Sequence, residues 1–241
     1  MAKMNITHFS SVLEKQICMN VIIPDTPVSA TLPVLYLLHG LSDNYTSWCS
    51  YSRIESFVRK RNVIIVMPDA GKSFYTDMAN NGEKYYTYIS REVPDFIEGY
   101  LPTGRERSKR FIAGLSMGGY GALKIGLSNP DRFRGIASFS GCCDIERLYN
   151  ENTSAFMPVF GDNADITAHS LFHLAKTCGG NKPIIYQWCG TEDFLYGDNV
   201  KFKNYMQTLD FDYTYRESSG GHTWDLWDEQ IEFTLKFFNL I

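Results

Sequence analysis

The 241-residue chain has no basic run and no cationic stripe. Its charges of both signs are interspersed and sum to -4. That leaves no footprint for a phosphate backbone, so no nucleic-acid partner is expected. Apolar runs approaching the ~20 residues that cross a bilayer are missing, and no membrane partner is expected either. The opening residues, MAKMNITHFSS, lack the apolar core of a secretory signal. No C-x-x-C occurs. Six cysteines, at 18, 49, 142, 143, 178 and 189, are scattered, and only Cys142 and Cys143 adjoin. Cys18, Cys142 and Cys189 fall inside or just after apolar runs, where a thiol packs as a small hydrophobe. Reduced thiols in a cytoplasmic protein are expected, not a disulfide framework. No repeat, low-complexity tract or Pro/Gly/Ser linker divides the chain. Its length suits one α/β domain over 1–241, and such a globule buries roughly 70–75% of its unfolded surface, enough for one core. Two nucleotide motifs are incomplete. Gly71-Lys72-Ser73 would need glycine at 66, where Val66 stands; after Gly119 and Gly121, Lys124 stands where the dinucleotide fingerprint wants glycine.

What the chain does have is alternation. Residues 6–13 and 15–24 read as a strand pair. Buried strands follow at 34–40 (VLYLLHG), 62–71 (NVIIVMPDAG), 111–113, 135–141 (GIASFSG) and 184–190 (IIYQWCG), with YTYRES at 213–218 as the last. Helical spacing marks 52–61, 86–101 (with Pro94 in its first turns or kinking it), 120–127, 198–209 and 227–239. Short apolar runs, each followed by a helix, predict a mostly parallel sheet with helices on both faces. In such sheets the loops at the C-terminal strand ends build the site. Every polar cluster of interest follows a strand: HGLSDN, PDAGKS, LSMGG, SGCCD, GTEDF and SSGGH. The long connection at 144–183 is expected to form a small cap.

Residues 112–121 read IAGLSMGGYG. A strand that becomes a helix within two or three residues must bend sharply, and the residue at the bend takes strained torsions. Gly114 and Gly118 supply clearance around Ser116, whose hydroxyl would stand on a tight turn at the helix N-terminus. A nucleophile placed so needs a base and an orienting acid. His222 lies in the glycine-rich loop after the last strand and comes last in chain order, so it is the expected base. The acid must lie between them at a strand end. Asp193, in GTEDF, is favoured; Asp144, after GIASFSGCC, is the alternative. Glu192 adjoins Asp193, but only one of two neighbours in a turn can face the histidine. Asp198 reads as a helix N-cap. His39 reads as local loop packing. His169 and His173 stand four apart on one expected helix, a two-ligand spacing without H-E-x-x-H or an obvious third ligand, so no metal is expected.

The implied chemistry is acyl transfer. His222 takes the Ser116 proton as the hydroxyl attacks a carbonyl, Asp193 holds the imidazole tautomer, and water cleaves the acyl-enzyme. One oxyanion donor is expected from the backbone of Met117, the other from the loop where Gly40-Leu41 lets the backbone approach. This chemistry requires no metal or organic cofactor. Trp48, Phe74, Tyr75, Phe156, Phe160, Trp224 and Trp227 crowd strand-end loops; some are expected to pack the core and the others to wall a short acyl pocket.

The set HGLSDN, FYTDM, GLSMGGYGA, GTEDF and GGHTWDLW resembles the esterase D / S-formylglutathione hydrolase-like α/β-hydrolases, a family that includes the antigen 85 acyltransferases, with particular likeness to compact bacterial tributyrin-type (acetyl) carboxylesterases. The likeness covers nearly the whole chain. It implies the α/β-hydrolase fold with an eight-stranded, mostly parallel sheet. It implies Ser116, Asp193 and His222 as catalytic residues, with the Leu41 and Met117 amides as the oxyanion hole. The implied activity is a serine carboxylesterase for short-chain acyl esters. An S-formylglutathione thioesterase and a deacetylase of acetylated carbohydrates are the alternatives. The partner is a small-molecule ester, and a homo-oligomer is left open.

Overall fold

The computed structural model describes residues 1–25, 30–162 and 164–241. Position 163, inside the long connection, lies outside the described residues. The strands are β1 (Ala2–Ser10), β2 (Lys15–Ile23), β3 (Val34–Leu38), β4 (Ile64–Pro68), β5 (Arg110–Leu115), β6 (Gly135–Phe139), β7 (Ile184–Gly190) and β8 (Tyr213–Ser218). They form one sheet in the order β1-β2-β4-β3-β5-β6-β7-β8. The β1–β2 and β2–β4 pairs are antiparallel; the other pairs are parallel. This is the eight-stranded α/β-hydrolase fold.

Strands β3 to β6 are buried at every residue, because both faces of the sheet are covered. Val34, Tyr36 and Leu38 point into one core with Ile112 and Ile136. Leu35 and Leu37 point into the other with Phe111, Ala113 and Ala137. The first core is covered by α4 (Val93–Tyr100), α5 (Met117–Ser128), α8 (Leu171–Thr177) and α9 (Tyr196–Met206); the second by α1 (Ser47–Tyr51), α2 (Ile54–Phe57) and α10 (Trp224–Phe237). A short α3 (Tyr85–Thr87) precedes α4, and α6 (Ile145–Glu151) and α7 (Thr153–Phe160) lie in the long connection. One charge starts a buried strand: Arg110 grips the Glu98 carboxylate at 2.5 and 2.7 Å.

Register carries the fold to the site. Gly114 pairs with both Leu38 and Ser138, Phe139 with Trp188, and Gly190 with Ser218. The C-terminal ends of five parallel strands therefore lie side by side.

Several elements differ from the sequence expectation. The helix expected at 52–61 is reduced to α2 at Ile54–Phe57, with α1 ending before it at Tyr51. Ser52 is extended, its hydroxyl donates to the Trp48 carbonyl at 2.5 Å, and the Arg53 amide donates to Asp228 on α10 at 2.6 Å. The helix expected at 86–101 contains a π-helical turn at Tyr88–Glu92, just before Pro94, which has no N–H to give the ladder. The Glu92 carboxylate accepts from the Ser11 amide and hydroxyl, each at 2.7 Å, tying this turn to the β1–β2 hairpin. Asp198 is not a cap. It lies in the first turn of α9, where Arg147 holds both its oxygens in a two-pronged ion pair at 2.8 and 2.7 Å. His169 ends a 3-10 turn (Thr167–His169), whereas His173 is on α8, so the pair does not share a helix.

Candidate active site

Ser116 follows β5 directly and precedes α5. Its φ is 53° and its ψ is -121°, torsions a non-glycine residue holds only when its surroundings enforce them. The enforcement is visible. The Ser116 amide donates to the Phe139 carbonyl at 2.8 Å, and its carbonyl accepts from the Tyr120 amide at 3.1 Å. A Cβ on Gly118 would lie 2.5 Å from the Leu38 carbonyl oxygen and 2.7 Å from that of His39; one on Gly114 would collide with the Gly118 backbone. Glycine is required because three backbones meet there. Helix α5 is buried from Met117 to Leu127, and its N-terminal dipole points at Ser116.

The loop after β3 approaches from the side. His39 is buried, and its Nε2 accepts from the Ala70 amide at 3.0 Å. The proton is therefore assigned to Nδ1, which donates to the Gly40 carbonyl at 2.8 Å. The Asp43 carboxylate accepts from the Gly40 amide at 3.1 Å. Both faces of the Gly40 peptide region are thus held, and Leu41 follows, 42% exposed. His39 performs the loop packing expected of it.

His222 comes from the loop between β8 and α10. Its Nδ1 hydrogen-bonds the Asp193 carboxylate at 2.8 Å. The second Asp193 oxygen accepts from the Leu195 amide at 2.8 Å. Burial alone pushes the Asp193 carboxyl up, but hydrogen bonds from His222, the Leu195 amide and the Ser140 hydroxyl outweigh it and hold the group below its usual range. Glu192 turns away and accepts from the Gly220 amide instead. The imidazole sits between the Phe194 ring, 4.5 Å away between centroids, and the Trp227 edge at 4.7 Å. Trp227 in turn donates to Ser140 Oγ at 3.1 Å.

Ser116, His222, Gly40, Leu41, Asp43, Leu115, Phe194, Trp224 and Trp227 line one cleft of about 370 Å³. Asp193 lies directly behind His222, and Met117 is buried beneath Ser116. Among the described residues the Ser116 hydroxyl makes no hydrogen bond to the imidazole; such contacts are often long until substrate arrives. Asp144 does not reach this cleft. It caps α6 by accepting from the Arg147 amide at 3.2 Å and pairs with Lys201 at 2.5 Å. Among the described residues no three metal-ligating side chains gather.

The family model described as "Putative esterase" matches residues 10–238. The chain belongs to this esterase family. It is 34% identical to an acetyl esterase of Caldicellulosiruptor saccharolyticus, over 96% of each chain. Its fold is similar to that of a Staphylococcus aureus fluorophosphonate-binding serine hydrolase, with a TM-score of 0.90, 29% identity and 98% of each chain covered. An S-formylglutathione hydrolase from the same bacterium matches with a TM-score of 0.87 at 27% identity, again over 98% of each chain. Like its family, the chain is a serine hydrolase of carboxylic esters. No described helix is long and apolar enough to cross a membrane.

In this esterase the rings divide between the cleft and the core. Trp224 and Trp227 line the cleft, but Phe74, Tyr75, Phe156 and Phe160 belong to the core on the α5 side of the sheet. Trp48 is 1% exposed and supports Trp224 from behind at 5.1 Å. Phe194 was not expected to line the site. Its signal was its place: a bulky ring in a strand-end turn, next to Asp193. Cys142, expected to pack as a small hydrophobe, is buried beside Ser116. Its amide approaches the Ser116 carbonyl at 3.4 Å; burial, only partly opposed by the Ser116 hydroxyl, pushes its thiol up to about 12, so it is an inert neighbour.

Proposed function

We propose that this esterase hydrolyses short-chain acyl esters through an acyl-enzyme on Ser116, with His222 as general base and acid and Asp193 as its orienting carboxylate. The observation that carries the reading is the 2.8 Å bond from His222 to the buried Asp193 in the cleft that holds the strained Ser116. His222 Nε2 takes the hydroxyl proton as Ser116 Oγ attacks the acyl carbon. The imidazolium forms against the Asp193 carboxylate, which the Leu195 amide and Ser140 keep ionised. The amides of Met117 and Leu41 receive the oxyanion, the first fixed by α5 and the second by the braced Gly40 turn. Collapse expels the alcohol, protonated by His222, and water repeats the sequence on the acyl-enzyme.

Short acyl groups are favoured because a cleft of about 370 Å³, near the low end of the roughly 300–1,000 Å³ typical of ligand sites, must hold both halves of the ester. We retain residues 144–183 as a small cap on a single domain, and a cytoplasmic location supported by free thiols. The S-formylglutathione hydrolase neighbour favours one second reading, a glutathione thioesterase; kcat/KM for S-formylglutathione against an oxygen ester of the same acyl group separates the two. Ser116→Ala tests the main reading. The variant should keep the wild-type circular dichroism and lose ester hydrolysis by several orders of magnitude. A folded variant that keeps more than a few per cent of turnover refutes it.

A further inference from the structure

The alcohol half of the ester is left unspecified by the serine-esterase reading, on which this inference rests. When the tetrahedral intermediate collapses, the protonated base gives its proton to the departing oxygen. The leaving alcohol must therefore lie beside the His222 imidazole. One side of that ring meets buried Trp227. Phe194 also packs against it, tilted by 47° and 75% exposed. Single exposed apolar side chains are common and need no explanation. This one packs on the proton-donating group, in a turn fixed by the Asp193 carboxylate and by the Tyr196 amide, which donates to the Asp193 carbonyl at 2.9 Å. Trp224 lines the same cleft, and Tyr51, 60% exposed, leans on Trp224 at 5.3 Å between centroids. The rim thus offers flat aromatic faces to solvent, with Asp43 and Ser42 as nearby polar groups.

We infer that Phe194 is a specificity-determining residue whose exposed face stacks on the ring of a ring-bearing leaving alcohol, aryl or pyranosyl. A flat ring covers such a face with few torsions to freeze, whereas an open chain of equal carbon count must order several. The hydroxyls of a pyranose would additionally find acceptors in Asp43 and Ser42. The acyl half, on the far side of the scissile bond, does not meet Phe194.

The test uses acetates of primary alcohols, so that the acyl-enzyme and the leaving-group basicity stay nearly constant. Benzyl acetate, a methyl pyranoside acetylated on its primary hydroxyl, and heptyl acetate are compared by kcat/KM, which reports acylation. Wild type should favour at least one ring-bearing ester over heptyl acetate. In Phe194→Ala the ring-to-chain ratio should fall about three- to tenfold, the range of one aromatic contact, and Phe194→Tyr should restore it. A fall confined to the benzyl ester assigns the face to aryl alcohols; one confined to the pyranoside assigns it to sugars. An unchanged ratio overturns the inference, including the case where all three esters slow together and the pH profile moves, because Phe194 then only shelters the His222–Asp193 bond. Ser116→Ala, assayed alongside, separates the failures. If it still hydrolyses all three esters, the serine-esterase reading falls; if it is inactive while the ratio stays put, only the ring inference falls.

Discussion

Replacing Lys124 with methionine should make the stability of this esterase less dependent on pH. Lys124 is on α5, the helix that Ser116 begins, and is 4% exposed. Its ammonium donates to Thr76 Oγ1 at 2.6 Å and faces the Tyr86 and Tyr120 rings at 5.6 and 5.5 Å. Asp77, Tyr86 and His169 share its cavity of about 240 Å³, and among the described residues no carboxylate comes within ion-pair distance. Burial pulls the group from 10.5 down to about 7, with the Asp77 charge opposing it. His169, pushed down to about 4 by burial and then by the Lys124 charge, stays neutral in the folded state above pH 7.

The sign follows from proton counting. Below about pH 7 both states carry the charge, and the folded one carries it buried. Between about pH 7 and 10.5 the unfolded state binds more protons, so stability rises with pH. At about 1.4 kcal/mol per tenfold change in proton affinity, the wild type should gain about 2 kcal/mol relative to Lys124→Met between about pH 7 and pH 9. Urea unfolding of both proteins at the two pH values measures this difference of differences. A gap that stays constant within about 0.5 kcal/mol would show that Lys124 keeps an ordinary affinity for its proton, and the reasoning from burial would fail.

Two further predictions concern the cleft. Asp193→Asn should lower kcat by about four orders of magnitude, as loss of the orienting carboxylate does in other serine hydrolases. Asp144→Asn should chiefly lower stability, by about 1–3 kcal/mol; parallel kinetics and urea titrations check this, and the reverse ranking would mean that the acid is misassigned. With p-nitrophenyl esters below their micelle concentrations, kcat/KM should peak between acetyl and butyryl. Each methylene that fits adds up to ~0.8 kcal/mol until the cleft of about 370 Å³ is filled. A profile flat or rising from butyryl to dodecanoyl would show an open groove.

The parts legible in the sequence were those whose causes are local. A continuous apolar run such as VLYLL needs no partner to be read as a doubly covered strand, and Gly114, Ser116 and Gly118 announce a tight turn because only glycine fits such contacts. The pairing of His222 with Asp193 was legible through chain order and strand-end position. What stayed hidden depends on distant residues. The break at Ser52-Arg53 is held by Asp228, 175 positions away. Asp198 looks like a cap, but in the fold it lies in the first turn of α9 and pairs with Arg147, 51 positions earlier. The side of the sheet that receives Phe74, Tyr75, Phe156 and Phe160 is decided by packing against α5 and the long connection, which periodicity does not record.

The contact of β3, β5 and α5 through bare backbone has an evolutionary consequence. The ends of these three elements leave no methyl-sized space, so the proposed nucleophile Ser116 and the Met117 amide move as one piece. Under the proposed mechanism, a mutation there is expected to abolish catalysis rather than retune it. The rim is built differently: Leu41, Phe194 and Trp224 are at least partly exposed and meet solvent on one side. Variation that changes which esters are accepted can therefore accumulate at the rim without touching the chemistry. Libraries aimed at new substrates belong at 41, 42, 194 and 224 rather than at 43, which braces the Gly40 turn, or at 114–121.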